Sequence, residues 1–210
     1  VGARLVDAVG VLVGQNPHGG EGLASRPLDP VHGGAEPDAC GDPLPPPVTG
    51  FDLFQGPVVA AAGDSAIFRG KRIYGKKNLP MTAFYYFARG DATVTDPVQG
   101  SYSEGALRFY NFFQGKIGLT GQVFEDPNTG LSTRFALAGD PQTRKGWVDG
   151  QLLPAGDRRM GLASGPFTMA PGDTQEVVVA EICAGAIPGT DRLSAIGLLK
   201  FYDAQAQLAY

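Results

Sequence analysis

Glycine and proline constrain this chain more than any other feature of its sequence. There are 31 glycines and 17 prolines among 210 residues, while 43% of the residues are hydrophobic. Glycine loses the most conformational freedom on ordering and proline lacks a backbone N–H, so both disfavour long helices and long central strands. The chain is long enough to bury a core. We therefore expect a mostly-β protein of short strands joined by turns.

Apolar and β-branched stretches between the turn residues predict the strands. Residues 79–89 are apolar on both faces, which is typical of a central strand covered on both sides. Residues 57–62 and 65–74 form a predicted hairpin with Gly63-Asp64 as its turn, and Pro171-Gly172-Asp173 is predicted to join two later strands. The remaining predicted strands are residues 1–13, 132–138, 159–164, 165–170 and 174–183.

Two segments have helical spacing. Residues 104–113 predict a short helix with Ser103 as its cap and with Leu107, Tyr110 and Asn111 along one side. Residues 190–210 predict the longer helix, capped by Thr190 or Asp191. Its buried stripe is expected to contain Ile196, Leu199, Tyr202 or Asp203, and Ala206. The predicted fold is a β-sandwich or jelly-roll-like core with a C-terminal helix.

The first fifty residues differ in composition from the rest of the chain. Residues 16–50 are dominated by Gly, Pro, Asp and His and have no periodicity, which predicts an extended arm. We therefore divide the chain into residues 1–50, a terminal strand and arm, and residues 51–210, the β domain. The terminal strand can pair within its own domain or with the sheet edge of a neighbour. The residues expected to take part in assembly are Val6, Val9, Val11, Val13, Pro45, Pro46 and Pro47.

Charge and hydropathy argue against two kinds of partner. The net charge is −4 and the sequence pI is about 5.1, which gives nucleic-acid binding little electrostatic support. The sequence contains no run of about 18 apolar residues, which is the length that a membrane-spanning helix needs. The densest basic run is interpreted as a solvated strand face; it contains Arg69, Lys71, Arg72, Lys76 and Lys77.

Catalytic motifs are incomplete. Gly63-Asp64-Ser65 is similar to the start of one esterase motif, but the histidine that would act as its base is missing, since only His18 and His32 exist. Residues 161–165 place serine one position late for a nucleophile elbow. Residues 70–77 match most of a phosphate-binding loop, yet Lys77 stands where Ser or Thr would hold Mg²⁺. We therefore expect no enzyme, with a hydrolase as the alternative.

No cofactor is predicted, and calcium is the one metal that the loops favour. Calcium is bound by carboxylates and carbonyls from loops. The candidate ligands are Asp126, Asn128, Asp140, Asp149 and Asp157. The alternative is that these side chains form hydrogen bonds within turns. The two cysteines, Cys40 and Cys183, are candidates for a disulfide if the chain is secreted, or are two unpaired thiols.

Several blocks of residues 51–210 together resemble a known module. They are Phe51–Pro57, Gly75–Phe84, Ala138–Pro141, Gly146–Gly150, Gly156–Arg159 and Ser164–Ala180. This set is similar to an uncharacterised β-rich module of long secreted proteins of Bacteroidota-type bacteria, which often end in a type IX secretion sorting domain. The resemblance implies secretion and a cell-surface context, and it implies no catalytic residue. The chain then corresponds to a processed or excised piece of a longer precursor.

These observations lead to three functional hypotheses. The first is an extracellular structural subunit that binds copies of itself in a filament, tube or surface layer through arm or strand exchange. The second is a carbohydrate- or surface-binding module, with glycans stacking on exposed aromatic rings. The rings available for it, if they are not in the core, are Phe84, Tyr85, Tyr86, Phe87, Phe109, Tyr110, Phe112 and Phe113. The third is a hydrolase.

Overall fold

A computed structural model describes residues 10–13, 47–88, 90–154, 158–185, 188 and 191–210, with the backbone alone at 10–13 and 192. Within these ranges most of the regular structure is strand, and a helix closes the chain, so the predicted mostly-β class with a C-terminal helix is confirmed. The elements are β1 (Gly10–Val13), β2 (Val48–Gln55), β3 (Val58–Phe68), β4 (Lys71–Asn78), β5 (Ala83–Ala88), α1 (Gly105–Phe113), β6 (Phe124–Glu125), β7 (Ser132–Thr133), β8 (Arg158–Ala163), β9 (Val178–Ala184) and α2 (Arg192–Ala209).

The described strands form four small sheets. One has the order β1-β2-β9, and the others are the pairs β3-β4, β5-β8 and β6-β7. Every pairing between these strands is antiparallel. Strand β2 is central in its sheet and begins at Val48, so the domain boundary predicted after residue 50 falls inside a strand.

Helix α2 packs on the three-stranded sheet. Asp191 is its cap, and the Asp191 side chain accepts a hydrogen bond from the Ser194 backbone N–H at 2.7 Å. Ile196 and Leu199 are fully buried, as predicted, whereas Asp203 and not Tyr202 continues the buried stripe. The core beneath the helix consists of Val48, Ala184, Ala195, Ile196 and Leu199.

The β3-β4 hairpin turns at a different place from the one predicted. Its turn is Arg69-Gly70, where both residues have positive φ values of 51° and 67°. A two-residue turn of this kind matches the right-handed twist of the strands that it joins. Gly63, with φ of 82°, lies instead at an irregularity between Ala60 and Ser65, so the prediction of a turn at Gly63-Asp64 is wrong.

Asn78 folds this hairpin back on itself. Asn78 pairs with Val58 at the base of the hairpin, yet its side-chain oxygen accepts from the Ile67 N–H at 2.7 Å. Its amide nitrogen donates to the Ile67 carbonyl at 2.9 Å and to the Gly56 carbonyl at 3.1 Å. The tip of the hairpin therefore lies close to its base, and the irregular region around Gly63 and Gly75 forms the bend between two arms.

A second core lies around β5 and α1. Strand β5 is buried on both faces, as predicted, but it is not central in its sheet: its ladder is with β8 alone, and its other edge has an isolated bridge from Phe84 to Phe135. The Phe112 ring is fully buried and meets the Phe87 ring edge-on at 5.0 Å. The buried members of this core are Tyr85, Tyr86, Ala88, Val94, Phe112, Phe124, Ala136 and Trp147.

Helix α1 differs in detail from its prediction. Its N-cap is Glu104 and not Ser103, and the Ser101 hydroxyl accepts from the Glu104 N–H at 3.2 Å. Leu107 and Tyr110 are exposed, because Phe112 takes the buried side of the helix. The helix itself is present as predicted, over Gly105–Phe113.

Several predicted strands are shorter or missing. Residues 164–177 form no strand, and of the predicted strand 132–138 the ladder keeps only Ser132–Thr133, with an isolated bridge at Phe135. The predicted turn at Pro171-Gly172-Asp173 is present, with the Asp173 N–H donating to the Ala170 carbonyl at 3.0 Å. After this turn the Gln175 side chain contacts β3, where it accepts from the Val58 N–H at 2.7 Å and donates to the Val58 carbonyl at 3.0 Å.

Replacing Asn78 tests the folded-back hairpin. Asn78→Ala removes three hydrogen bonds and leaves polar groups of Ile67 without their partner, so we expect a loss of about 1–3 kcal/mol in the free energy of unfolding. Urea denaturation measures it. The control is Asn128→Ala, since the Asn128 amide makes one exposed bond, to Gln151 at 3.3 Å. Equal losses in the two variants would contradict the role given to Asn78.

Candidate functional site

The edge of β2 that carries β1 is the candidate assembly site. The two strands pair antiparallel over four positions, Gly10 with Phe51 through Val13 with Val48. Two of the predicted assembly residues, Val11 and Val13, lie in β1, and Pro47 is exposed just before β2. The other four, Val6, Val9, Pro45 and Pro46, lie outside the described residues. The terminal strand thus pairs with its own domain, one of the two arrangements predicted for it.

The other edge of β2 is held by β9 in a long ladder. Thr49 pairs with Cys183, and the Thr49 hydroxyl lies 3.5 Å from the Cys183 sulfur. Leu12 pairs with Thr49 on the opposite side, so positions 12, 49 and 183 form one row across three strands. The Cys183 thiol is exposed and forms no disulfide within the described residues. Cys40 lies outside them, and its pairing with Cys183 stays a prediction.

A hydrogen-bond network fixes the far end of β2. Gln55 is only 2% exposed; it accepts from the Tyr210 hydroxyl at 2.6 Å and donates to Glu176 at 2.8 Å. The same Glu176 oxygen accepts from the Arg69 N–H at 2.7 Å. The bond from Gln55, followed by the one from Arg69, lowers the pKa of Glu176. The C-terminus, the hairpin tip and the segment before β9 therefore meet at one point of β2.

The calcium candidates do not come together in the described structure. Asp140 is bound to Lys200 at 2.6 Å, and Asp149 to Arg158 at 3.1 Å. Asp126 accepts from the Asn128 backbone N–H at 2.8 Å, and Asp157 lies outside the described residues. Among the described residues no three His, Cys, Asp or Glu side chains form a group that could hold a metal ion. In the described structure Asp126, Asp140 and Asp149 instead form hydrogen bonds within the protein, which was the alternative to calcium binding.

The Asp140 carboxylate accepts hydrogen bonds from three donors. Its oxygens accept from the Lys200 ammonium, from the Gln142 N–H at 2.9 Å and from the Thr143 hydroxyl at 2.9 Å. Burial raises the pKa of Asp140, but these three hydrogen bonds outweigh burial and lower the pKa from 3.8 to about 2. The pair ties the loop after Gly139 to helix α2.

A charge pair with a buried arginine, which no sequence pattern predicted, lies beside the β5 core. Arg158 is buried; its Nε donates to Asp149 and its terminal nitrogen donates to the Pro154 carbonyl at 2.5 Å. Burial, followed by the negative charge of Asp149, raises the pKa of the neighbouring Tyr86 to about 12. The cluster holds the 149–154 loop against β8.

Half of the eight aromatic residues considered for sugar stacking are buried. Phe84, Tyr85, Tyr86 and Phe112 are buried, whereas Tyr110 and Phe113 are about half exposed or more. The most exposed rings are Tyr102, at 95%, and Tyr74, at 80%, neither of which belongs to that set. The residues next to Tyr74 and Tyr102 in the sequence do not indicate that either ring is exposed.

The incomplete catalytic motifs lie in structural positions. The Asp64 carboxylate accepts from the Ser65 N–H at 2.7 Å within the irregular part of β3. Residues 70–77 form the turn and β4, whereas a phosphate-binding loop precedes a helix.

Comparisons with known proteins found no matching family model, no matching curated protein and no matching solved structure. Neither helix among the described residues is long and apolar enough to cross a membrane.

Acid titration tests the Asp140–Lys200 contact. Because the pKa of Asp140 is lowered in the folded state, its contribution to stability is present above the unfolded pKa near 4 and is lost as pH falls towards 2. We expect Lys200→Met to raise the pKa of Asp140 and to flatten the fall in stability between pH 4 and 2. Carboxyl NMR titration and urea denaturation measure these effects.

The matched control is Lys77→Met, because the Lys77 side chain is exposed on β4 and makes no described bond to Asp140. An unchanged Asp140 titration in Lys200→Met, or the same change in both variants, would contradict the assignment.

Proposed function

We propose that this chain is a non-catalytic extracellular subunit that assembles with copies of itself by exchanging β1. In the proposed assembly, β1 of one copy pairs with β2 of the next. The observation that carries the proposal is the placement of β1: it is an edge strand whose described ladder is with β2, and residues 14–47 connect the two strands.

The connection is long enough for exchange. Residues 14–47 could span roughly 110 Å if extended, at about 3.3 Å per residue. That length exceeds the diameter of a domain of this size, so β1 can reach the sheet edge of a neighbouring copy. The antiparallel ladder has the same register in both arrangements.

The β2 edge needs a partner strand. A strand edge without β1 would present its N–H and C=O groups to water or to another chain. Val48 and Gly50 of β2 are buried, and Val48 belongs to the core beneath α2. Covering this edge therefore protects both the core and the backbone groups of β2. A strand donated by another copy can cover the edge as effectively as the chain's own β1.

The extracellular setting rests on the resemblance to secreted Bacteroidota-type modules over residues 51–210. Structural subunits outside the cell need self-complementary contacts and no active site, which agrees with incomplete catalytic motifs in the sequence. In this proposal the partner is another copy of the chain.

Cross-linking between two different single-cysteine variants tests strand exchange. Leu12→Cys and Thr49→Cys are placed in separate chains that also carry Cys40→Ser and Cys183→Ser, and the two chains are refolded together and oxidised. Because positions 12 and 49 are register partners, exchange predicts a covalent heterodimer. Non-reducing electrophoresis and mass spectrometry detect it.

Two controls accompany this experiment. One chain carrying both cysteines reports pairing within a chain, and Leu12→Cys mixed with Ser132→Cys, an exposed position in β7, reports random collision. A cross-link in the double variant, with none between the mixed single variants at any concentration tested, would refute the proposal.

A further inference from the structure

The β3-β4 hairpin has a charge opposite to that of the whole chain. The chain carries a net charge of −4, yet residues 58–78 contain a single carboxylate, Asp64. The same residues contain five exposed cations, namely Arg69, Lys71, Arg72, Lys76 and Lys77. The hairpin is thus a local positive surface on an acidic protein.

None of these five cations forms an ion pair with a described residue. The salt bridges in the described part of the chain use Arg108, Arg158, Arg159 and Lys200. Arg72 donates to the Ser65 hydroxyl at 2.7 Å, and the Arg69 guanidinium lies 5.3 Å from the centre of the Phe68 ring. Both contacts leave the positive charge available to an anion, although at Arg69 the Glu176 carboxylate, which accepts from the Arg69 N–H at 2.7 Å, offsets part of it.

The folded-back shape brings the charges onto one compact unit. Lys71 and Arg72 lie on the tip arm of the hairpin, and Lys76 and Lys77 lie on the base arm. The bonds from Asn78 to Ile67 hold the two arms together. Mutual repulsion of these cations costs stability, so their concentration on a tethered hairpin favours binding of a polyanion that neutralises several at once.

An exposed aromatic ring stands among the cations. Tyr74 lies between Arg72 and Lys76 along β4, and 80% of its surface is exposed. Covering a tyrosine ring in this position with an apolar surface is energetically favourable, and the tyrosine hydroxyl stays available for hydrogen bonds. One face of a sugar ring offers such a surface, with hydroxyl groups around it.

We infer that the β3-β4 hairpin binds a linear anionic polysaccharide, with the five cations pairing with its carboxylate or sulfate groups and Tyr74 packing against a sugar ring. A nucleic acid also combines rings with anions, but binding of a single strand uses several aromatic rings on which successive bases stack, and among the hairpin's residues Tyr74 is the exposed ring. This inference does not depend on strand exchange.

Binding to defined polymers tests the inference. The full chain is titrated with alginate and heparin at 50 and 300 mM NaCl by biolayer interferometry. Uncharged dextran, poly-glutamate without sugar rings and an oligo(dT) strand are the comparison ligands. We expect binding to at least one of the two anionic polysaccharides, weakening as salt rises, no binding to dextran, and weaker binding to poly-glutamate and oligo(dT).

Variants locate the site. Each of the double variants Lys71→Gln/Arg72→Gln and Lys76→Gln/Lys77→Gln should weaken binding about tenfold or more, and Tyr74→Ala should weaken it by a similar factor. The matched control is Arg144→Gln/Lys145→Gln, an exposed basic pair on a different loop, which should leave affinity unchanged. Thermal unfolding confirms that each variant is folded.

Several outcomes would overturn the inference. An equal loss in the Arg144/Lys145 control would show general ion exchange, and an unchanged affinity in Tyr74→Ala would remove the sugar contact. Equal or tighter binding to poly-glutamate or oligo(dT) would assign the surface to another class of partner. Loss of self-association in the hairpin variants without any polysaccharide binding would assign it to copies of this chain.

Discussion

The antiparallel pairing of β2 with β9 is the interaction on which the other described features depend. It joins residues far apart in the chain, since Thr49 and Cys183 are 134 positions apart. The entropy of closing such a loop grows only slowly with its length, so a modest buried core can offset it. That core forms when α2, which follows β9, packs Ile196 and Leu199 against Val48. Once β9 and α2 are in place, β2 has one edge left, and β1 occupies it.

The elements that sequence patterns predicted well are those whose burial is set by local spacing. Helix α2 has an apolar stripe and an acidic cap, and β5 is apolar on both faces, so neither required knowledge of distant partners. The hairpin turn was misplaced because glycine serves two purposes in β3-β4. Gly63 permits a bend and Gly70 permits the turn, and both have positive φ. The backbone requirement is the same at the two positions, so composition cannot distinguish them.

The roles of the polar residues were harder to predict, because their partners belong to other elements. Asp140 contacts Lys200 in α2, 60 positions away, and Asp149 contacts Arg158, the first residue of β8. The acidic residues in these loops suggested oxygen ligands for a bound metal cation. In the described structure the cations that Asp140 and Asp149 bind are the side chains of Lys200 and Arg158. The basic run in β4 was visible in the sequence, but the bonds from Asn78 that fold it into one unit were not.

Strand exchange and closure within one chain form the same ladder, so their balance depends on concentration. A connection of the length of residues 14–47 gives β1 an effective concentration on the order of millimolar at its own β2. Exchange therefore needs either a comparable local concentration of chains or a second interaction that holds copies together. A polyanion bound at the β3-β4 hairpin would supply that interaction by gathering several copies along one polymer. If both proposals hold, anionic polysaccharide should promote the Leu12→Cys/Thr49→Cys heterodimer at protein concentrations where it is otherwise absent. Dextran should not promote it, and Lys76→Gln/Lys77→Gln should abolish the effect without altering the cross-link within one chain.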